Sequence, residues 1–148
     1  MSSFRQLLYH IVFRTKDSRP TIKPENAEKL YAYVTGIIKN KNSHLYRING
    51  VPNHLHICTD IHPSIALADF VKDIKVYSSL WMKSSELFPD FNGWADGYAG
   101  LTCSFSDLMK VIEYIKNQKE HHMRTSFEEE YRKLLLESGI TIDERYFP

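Results

Sequence analysis

Asn49-Gly50-Val51-Pro52-Asn53-His54-Leu55-His56-Ile57-Cys58-Thr59-Asp60 decides how this 148-residue chain is read. The turn Asn49–Asn53 reverses the chain into an apolar, strand-like segment, so a β-hairpin with the preceding Ser43–Asn49 (SHLYRIN) is expected. In a strand, residues i and i+2 share a face. His54 and His56 therefore project together, while Leu55 and Ile57 point the other way, into a core. Two imidazoles side by side on a rigid strand are part of a metal site if other donors reach the same face.

The rest of the chain alternates strand and helix patterns around that hairpin. Phe4–Thr15 (FRQLLYHIVFRT), with Leu7, Tyr9, Ile11 and Phe13 alternating, predicts a first strand. Pro20 and Pro24 punctuate a loop. From Glu25 to Asn42, Ala27, Leu30, Val34, Ile37 and Ile38 recur at helical spacing. Beyond the hairpin, Ser64 is the expected N-cap of a second helix running to about Leu87. Trp94–Phe105 predicts one or two short strands. Ser106 then caps a third helix from Asp107 to about Met123, and a fourth spans Phe127–Ser138 with Gly139 as its C-cap. Ile140–Pro148 reads as an extended arm. The order is that of a split βαβ unit: an α+β (α/β sandwich) domain, residues 1–148, with a ferredoxin-like or RRM-like antiparallel sheet, helices packed on one face and added C-terminal helices.

Composition narrows the class. Apolar residues make up 43% and charged residues 25%, as expected of a soluble globular protein. No apolar run approaches the roughly 20 residues of a membrane span, and Met1–Gln6 lacks a secretory pattern. Cys58 and Cys103, far apart in apolar contexts, read as reduced thiols, so a cytoplasmic location is expected. The net charge of +1 conceals an asymmetry. Residues 1–88 carry 12 Lys/Arg against 7 Asp/Glu, and residues 89–148 carry 7 against 11. The basic part offers Arg14, Lys16, Lys72 and Lys75 as candidate phosphate contacts, with Tyr98 as a candidate platform for unpaired bases.

The third helix supplies further donors. Tyr114 and Gln118 are four apart and share a face; His121 falls on it seven after Tyr114, and His122 is four after Gln118. A phenol, an amide oxygen and two imidazoles, set against a histidine pair, suit a divalent ion with open positions beside a nucleophile.

Pro-Asn-His-Leu-His-Ile (52–57), Tyr-Ile-Lys-Asn-Gln (114–118) and the following His-His resemble the single-tyrosine HUH transposases, the TnpA-type enzymes of the insertion sequence 200/605 group. Tyr-His-Ile-Val-Phe-Arg-Thr-Lys (9–16), Trp-Ala-Asp-Gly-Tyr (94–98) and Asp-Glu-Arg-Tyr (143–146) extend the resemblance over nearly the whole chain. It implies a homodimer that cuts and rejoins single-stranded DNA at transposon ends, commonly marked by hairpins. It also implies His54, His56 and Gln118 as ligands of Mg²⁺ or Mn²⁺, and Tyr114 as the nucleophile forming a 5′-phosphotyrosine bond. Composite sites, with the histidine pair from one subunit and the tyrosine helix from the other, belong to the same expectation. His121 and His122 are candidates for supporting or proton-transfer roles. The rival readings are a non-catalytic single-strand-binding RRM-like module, a hydrolase whose nucleophile is metal-bound water, and a domesticated relative acting on chromosomal repeats.

Overall fold

The structure is a computed structural model that describes residues 3–148; Met1 and Ser2, at the start of the stretch scanned for a secretory signal, lie outside the described residues. Its centre is a four-stranded antiparallel sheet in the order β2-β3-β1-β4, formed by β1 (Leu8–Arg14), β2 (Leu45–Val51), β3 (His54–Asp60) and β4 (Ala99–Thr102). The helices are α1 (Ala27–Asn40), α2 (Leu67–Ser84), α3 (Leu108–Lys116), α4 (Gln118–His121) and α5 (Phe127–Glu137). This is the ferredoxin-like α+β fold expected from the element order.

Strand alternation sorts the residues onto two faces. Ile11 and Phe13 of β1 and Leu55 and Ile57 of β3 face α1 and α2, where they pack with Leu30, Val34, Ile38, Phe70, Val71 and Ile74. Burying side chains of this size contributes about 1.5–3 kcal/mol each. The opposite face carries Leu8, His10 and Val12 on β1 and His54, His56 and Cys58 on β3. Leu8 and Cys58 pack with Leu108 and Ile115 of α3, while Val12 packs with Phe127 of α5 and Ala99. The C-terminal helices thus cover the second face of the sheet, and β3, with six of its seven residues buried, is covered on both sides.

Several boundaries differ from those the sequence predicts. The hairpin strands run on through Val51 and resume at His54, leaving only Pro52 and Asn53 in the turn. Ser64 does not cap α2: its hydroxyl lies 2.7 Å from His62 Nδ1, and the helix starts two residues after Ile65 from Ala66. Ser104, not Ser106, supplies the cap before α3, accepting from the Asp107 amide at 3.2 Å. The third helix is divided at Asn117, because the Asn49 side chain takes two of the carbonyls at the end of α3. The C-terminal arm is anchored. Glu144 pairs bidentately with Arg132, and Phe147 stacks on Tyr131 at 5.8 Å between centroids. No helix among the described residues is long and apolar enough to cross a membrane.

The two-residue turn is tight enough to demand glycine at position 50. A Cβ there would fall 2.4 Å from the His54 carbonyl oxygen and 2.8 Å from Leu55. Gly50→Ala is expected to destabilise the fold by roughly 1–3 kcal/mol, as overpacking does. Urea denaturation checks this, with the transition midpoint falling and its slope unchanged.

Candidate active site

β3 places His54 and His56 on the face covered by the C-terminal helices, and both are fully buried. Each is oriented through its Nδ1. His54 Nδ1 lies 2.7 Å from Asn53 Oδ1, and His56 Nδ1 lies 2.8 Å from Nε2 of His10 on the neighbouring strand. The Nε2 atoms of both rings are thereby turned toward the same point. His54 is held further by Phe127, whose ring centroid is 4.2 Å away.

That point is occupied by the carboxylate of Glu130, which projects from α5. Its Oε1 is 3.1 Å from His54 Nε2, 3.0 Å from His56 Nε2 and 2.9 Å from His122 Nε2. Its other oxygen, Oε2, accepts from the Tyr114 hydroxyl and, at 2.9 Å, from Gln118 Nε2. His121 Nε2 lies 3.4 Å from Oε2. Tyr114, Gln118, His121 and His122, predicted on one helix face, thus converge with the His54–His56 pair within a single chain, although the helix that carries them is divided.

The division has a cause on another element. Asn49, opposite His56 on β2, donates its amide to the carbonyls of Ile115 and Lys116 at 3.0 and 3.1 Å. These are helix-end carbonyls that need partners. Asn49 therefore pins the segment between Tyr114 and Gln118 to the hairpin that carries the histidines.

Burial and neighbours set the charge states. Desolvation lowers His54 to about 4 and His10 to about 3, and it also lowers His56, so all three rings are neutral near pH 7. Desolvation would raise Glu130, but the imidazoles of His122, His54 and His56 outweigh it and hold the carboxyl well below the usual range. Burial, and then the adjacent carboxylate, push Tyr114 above its ordinary value and keep it a phenol. Neutral imidazoles with a carboxylate and a buried amide oxygen, Gln118 Oε1, that has no hydrogen-bond partner form a donor set that fits a divalent cation.

Sequence reasoning missed Glu130 and His10. Glu130 follows two other glutamates and passes for part of an acidic helix start. Its phase was the signal: Phe127, Glu130, Tyr131 and Leu134 form one helical face, with an acid in its apolar row. His10 is a polar residue at the centre of an apolar strand.

Of the predicted basic residues, Arg14 sits on β1 directly opposite His54, and the three lysines lie elsewhere. Lys16, Lys72 and Lys75 line a groove of about 650 Å³ with Trp94 and Tyr98, but Lys75 Nζ is committed to the carbonyls of Ala95 and Gly97 at 2.9 and 2.6 Å. Arg14 donates to Ser18 Oγ at 3.1 Å. Tyr114 and His10 instead line an open cleft of about 570 Å³ together with Lys110.

Comparison with known proteins agrees with this architecture. The family described as "Transposase IS200 like" matches residues 3–118, and the chain belongs to it. The chain is 26% identical over 120 residues to the ISDra2 transposase TnpA of Deinococcus radiodurans, covering 78% of this chain and 86% of that protein. It is 27% identical over 119 residues to the IS200 transposase of Salmonella typhimurium, covering 76% of each. A crystal structure of a Deinococcus radiodurans transposase superposes with a TM-score of 0.61 at 27% identity, over 80% of this chain and 98% of that one. A REP-associated tyrosine transposase bound to a REP hairpin shares the fold, with a TM-score of 0.61 at 13% identity over 82% and 74% of the two chains. The protein is thus a transposase of the IS200-like family. The match ends at Gln118, so His122 and Glu130 lie beyond it.

Asn49→Ala should leave two helix-end carbonyls without their buried donor, at a cost of about 1–3 kcal/mol. Thermal denaturation reads the loss, and hydrogen exchange should rise selectively across residues 114–121.

Proposed function

We propose that this transposase cleaves and rejoins single-stranded DNA at insertion-sequence ends, with Tyr114 as the nucleophile. The observation that carries the reading is the convergence of Tyr114, His54, His56 and Gln118 on one buried point beside an open cleft. The Tyr114 oxygen attacks phosphorus, and its proton passes to Glu130 Oε2, which already accepts it as a hydrogen bond. The new bond is a 5′-phosphotyrosine; the bond to the 3′ oxygen breaks, and that oxygen leaves as a free hydroxyl by taking a proton from water, while Glu130 gives its proton up to solvent. The phosphodiester's energy is retained in the protein–DNA bond, so the reverse attack by a 3′-hydroxyl rejoins strands without ATP.

A divalent ion, Mg²⁺ or Mn²⁺, held by His54, His56 and Gln118 neutralises charge on the non-bridging phosphate oxygens when bound. His10 and Asn53 fix the ring orientation of the histidine pair. The DNA partner follows from family membership, and the hairpin-bound REP-associated neighbour supports a hairpin as the feature recognised. A homodimer working in the reducing cytoplasm completes the proposal; both cysteines are free thiols. The placement of Tyr114 against the histidines of its own chain supports a site assembled in cis.

Labelled single-stranded DNA from the element's flanks, incubated with Mg²⁺ or Mn²⁺, should give a covalent protein–DNA adduct on a denaturing gel. Tyr114→Phe should abolish it, and His54→Ala should reduce it by at least about 100-fold. Cleavage that survives Tyr114→Phe would assign the reaction to a water nucleophile. Mixing Tyr114→Phe with His54→Ala subunits should restore no adduct if the site is built in cis, and recovery would establish trans assembly.

A further inference from the structure

Within the proposed metal-dependent reaction, on which this inference rests, the shell expected from the family motif is His54, His56 and Gln118. The structure holds a different convergence. Oε1 of Glu130 and the Nε2 atoms of His54, His56 and His122 all lie within 4.8 Å of one another. Oε1 itself is 2.9–3.1 Å from each of the three nitrogens. Adjacent ligands in an octahedral shell with bonds of about 2.1 Å are separated by about 3.0 Å, so these spacings are compatible with donors sharing one ion.

The hydrogen bonding on the far side of the rings points the same way. With an ion bound, His54 would donate from Nδ1 to Asn53 Oδ1, which can only accept, leaving Nε2 for the ion. His54 Nε2 then lies 3.1 Å from the carboxylate oxygen, the two donors facing one point. His56 has the same arrangement when its Nδ1 donates to His10 Nε2 at 2.8 Å. Gln118 braces the other carboxylate oxygen through its amide nitrogen at 2.9 Å.

We propose that His122 and Glu130 are direct ligands of the divalent ion together with His54 and His56, a shell of three imidazoles and one carboxylate that selects Mn²⁺ over Mg²⁺. Imidazole nitrogen suits manganese and later transition ions, whereas Mg²⁺ prefers oxygen donors and retained water. Four protein ligands leave two octahedral positions, sufficient for the Gln118 amide oxygen, which is buried without a partner, and for one phosphate oxygen. Glu130 then ties the ion to the nucleophile, with one oxygen on the shell and the other on the Tyr114 hydroxyl.

The test is Mn²⁺ binding to the full chain, followed by electron paramagnetic resonance. Electron-spin-echo spectra count the coupled imidazole nitrogens. Three are expected in the wild type and two in His122→Ala; two in the wild type would overturn the proposal. Glu130→Gln should weaken Mn²⁺ binding by about 10–100-fold or more. Equal or tighter binding in that variant would mean that the carboxylate merely fills the space, and would also overturn it. Mg²⁺ should displace Mn²⁺ only at concentrations at least about tenfold higher. Circular dichroism identifies a variant that fails to fold, in which case the nitrogen count of the wild type decides. A Tyr114 adduct formed without detectable Mn²⁺ binding would sink this shell and spare the proposed reaction. Three-nitrogen binding with no adduct would do the reverse.

Discussion

A carboxylate buried on a sheet face is the constraint around which this molecule is arranged. Glu130 is 2% exposed, and an ionised carboxylate in such a place costs several kcal/mol unless it is compensated. Compensation comes from every element around it: β3 through His54 and His56, α3 through Tyr114, and α4 with its C-terminal residue through Gln118 and His122. Removing the acid would leave three buried imidazoles facing a void, and removing any ring would leave the acid less well paired. The helices after the sheet are thus held by polar convergence as well as by the apolar patches around Ile115 and Phe127.

β3 separates two kinds of chemistry with a single strand. Leu55 and Ile57 anchor it in the main core, and the rigidity they confer is delivered to His54 and His56 on the reverse side. The neighbouring strands contribute the supports. His10 on β1 orients His56, and Asn49 on β2 fixes the segment that carries Tyr114 and Gln118. Sites built on strands and braced in this way hold their geometry more closely than sites on loops. The open side is the cleft lined by Tyr114 and His10.

Much of this was legible in the residues. The split βαβ order, the hairpin and the two-residue spacing of the histidines depend on local periodicity, which sequence displays directly. The meeting of Tyr114 and Gln118 with the histidine pair came from the family resemblance, since spacing alone cannot bring residues 60 apart into contact. What escaped was long-range. Glu130 sits in a run of three glutamates that satisfies a helix start by itself, with Ser126 as the cap, so nothing local asks for another explanation. The break at Asn117 is imposed by Asn49, a residue on a different element. Ser64 and Ser106 are adequate caps by composition, yet α2 starts from Ala66 without a side-chain cap, and Ser104 took the role of Ser106.

The position of Glu130 also orders events in time. Synthesis runs from the N-terminus, and the sheet with its histidine pair is complete by Thr102, while the tyrosine helix ends at Lys116. The carboxylate that joins Tyr114 to the histidines arrives only with α5, among the last of the elements described. A chain that has not yet made α5 therefore lacks the carboxylate at which Tyr114 and the histidines meet.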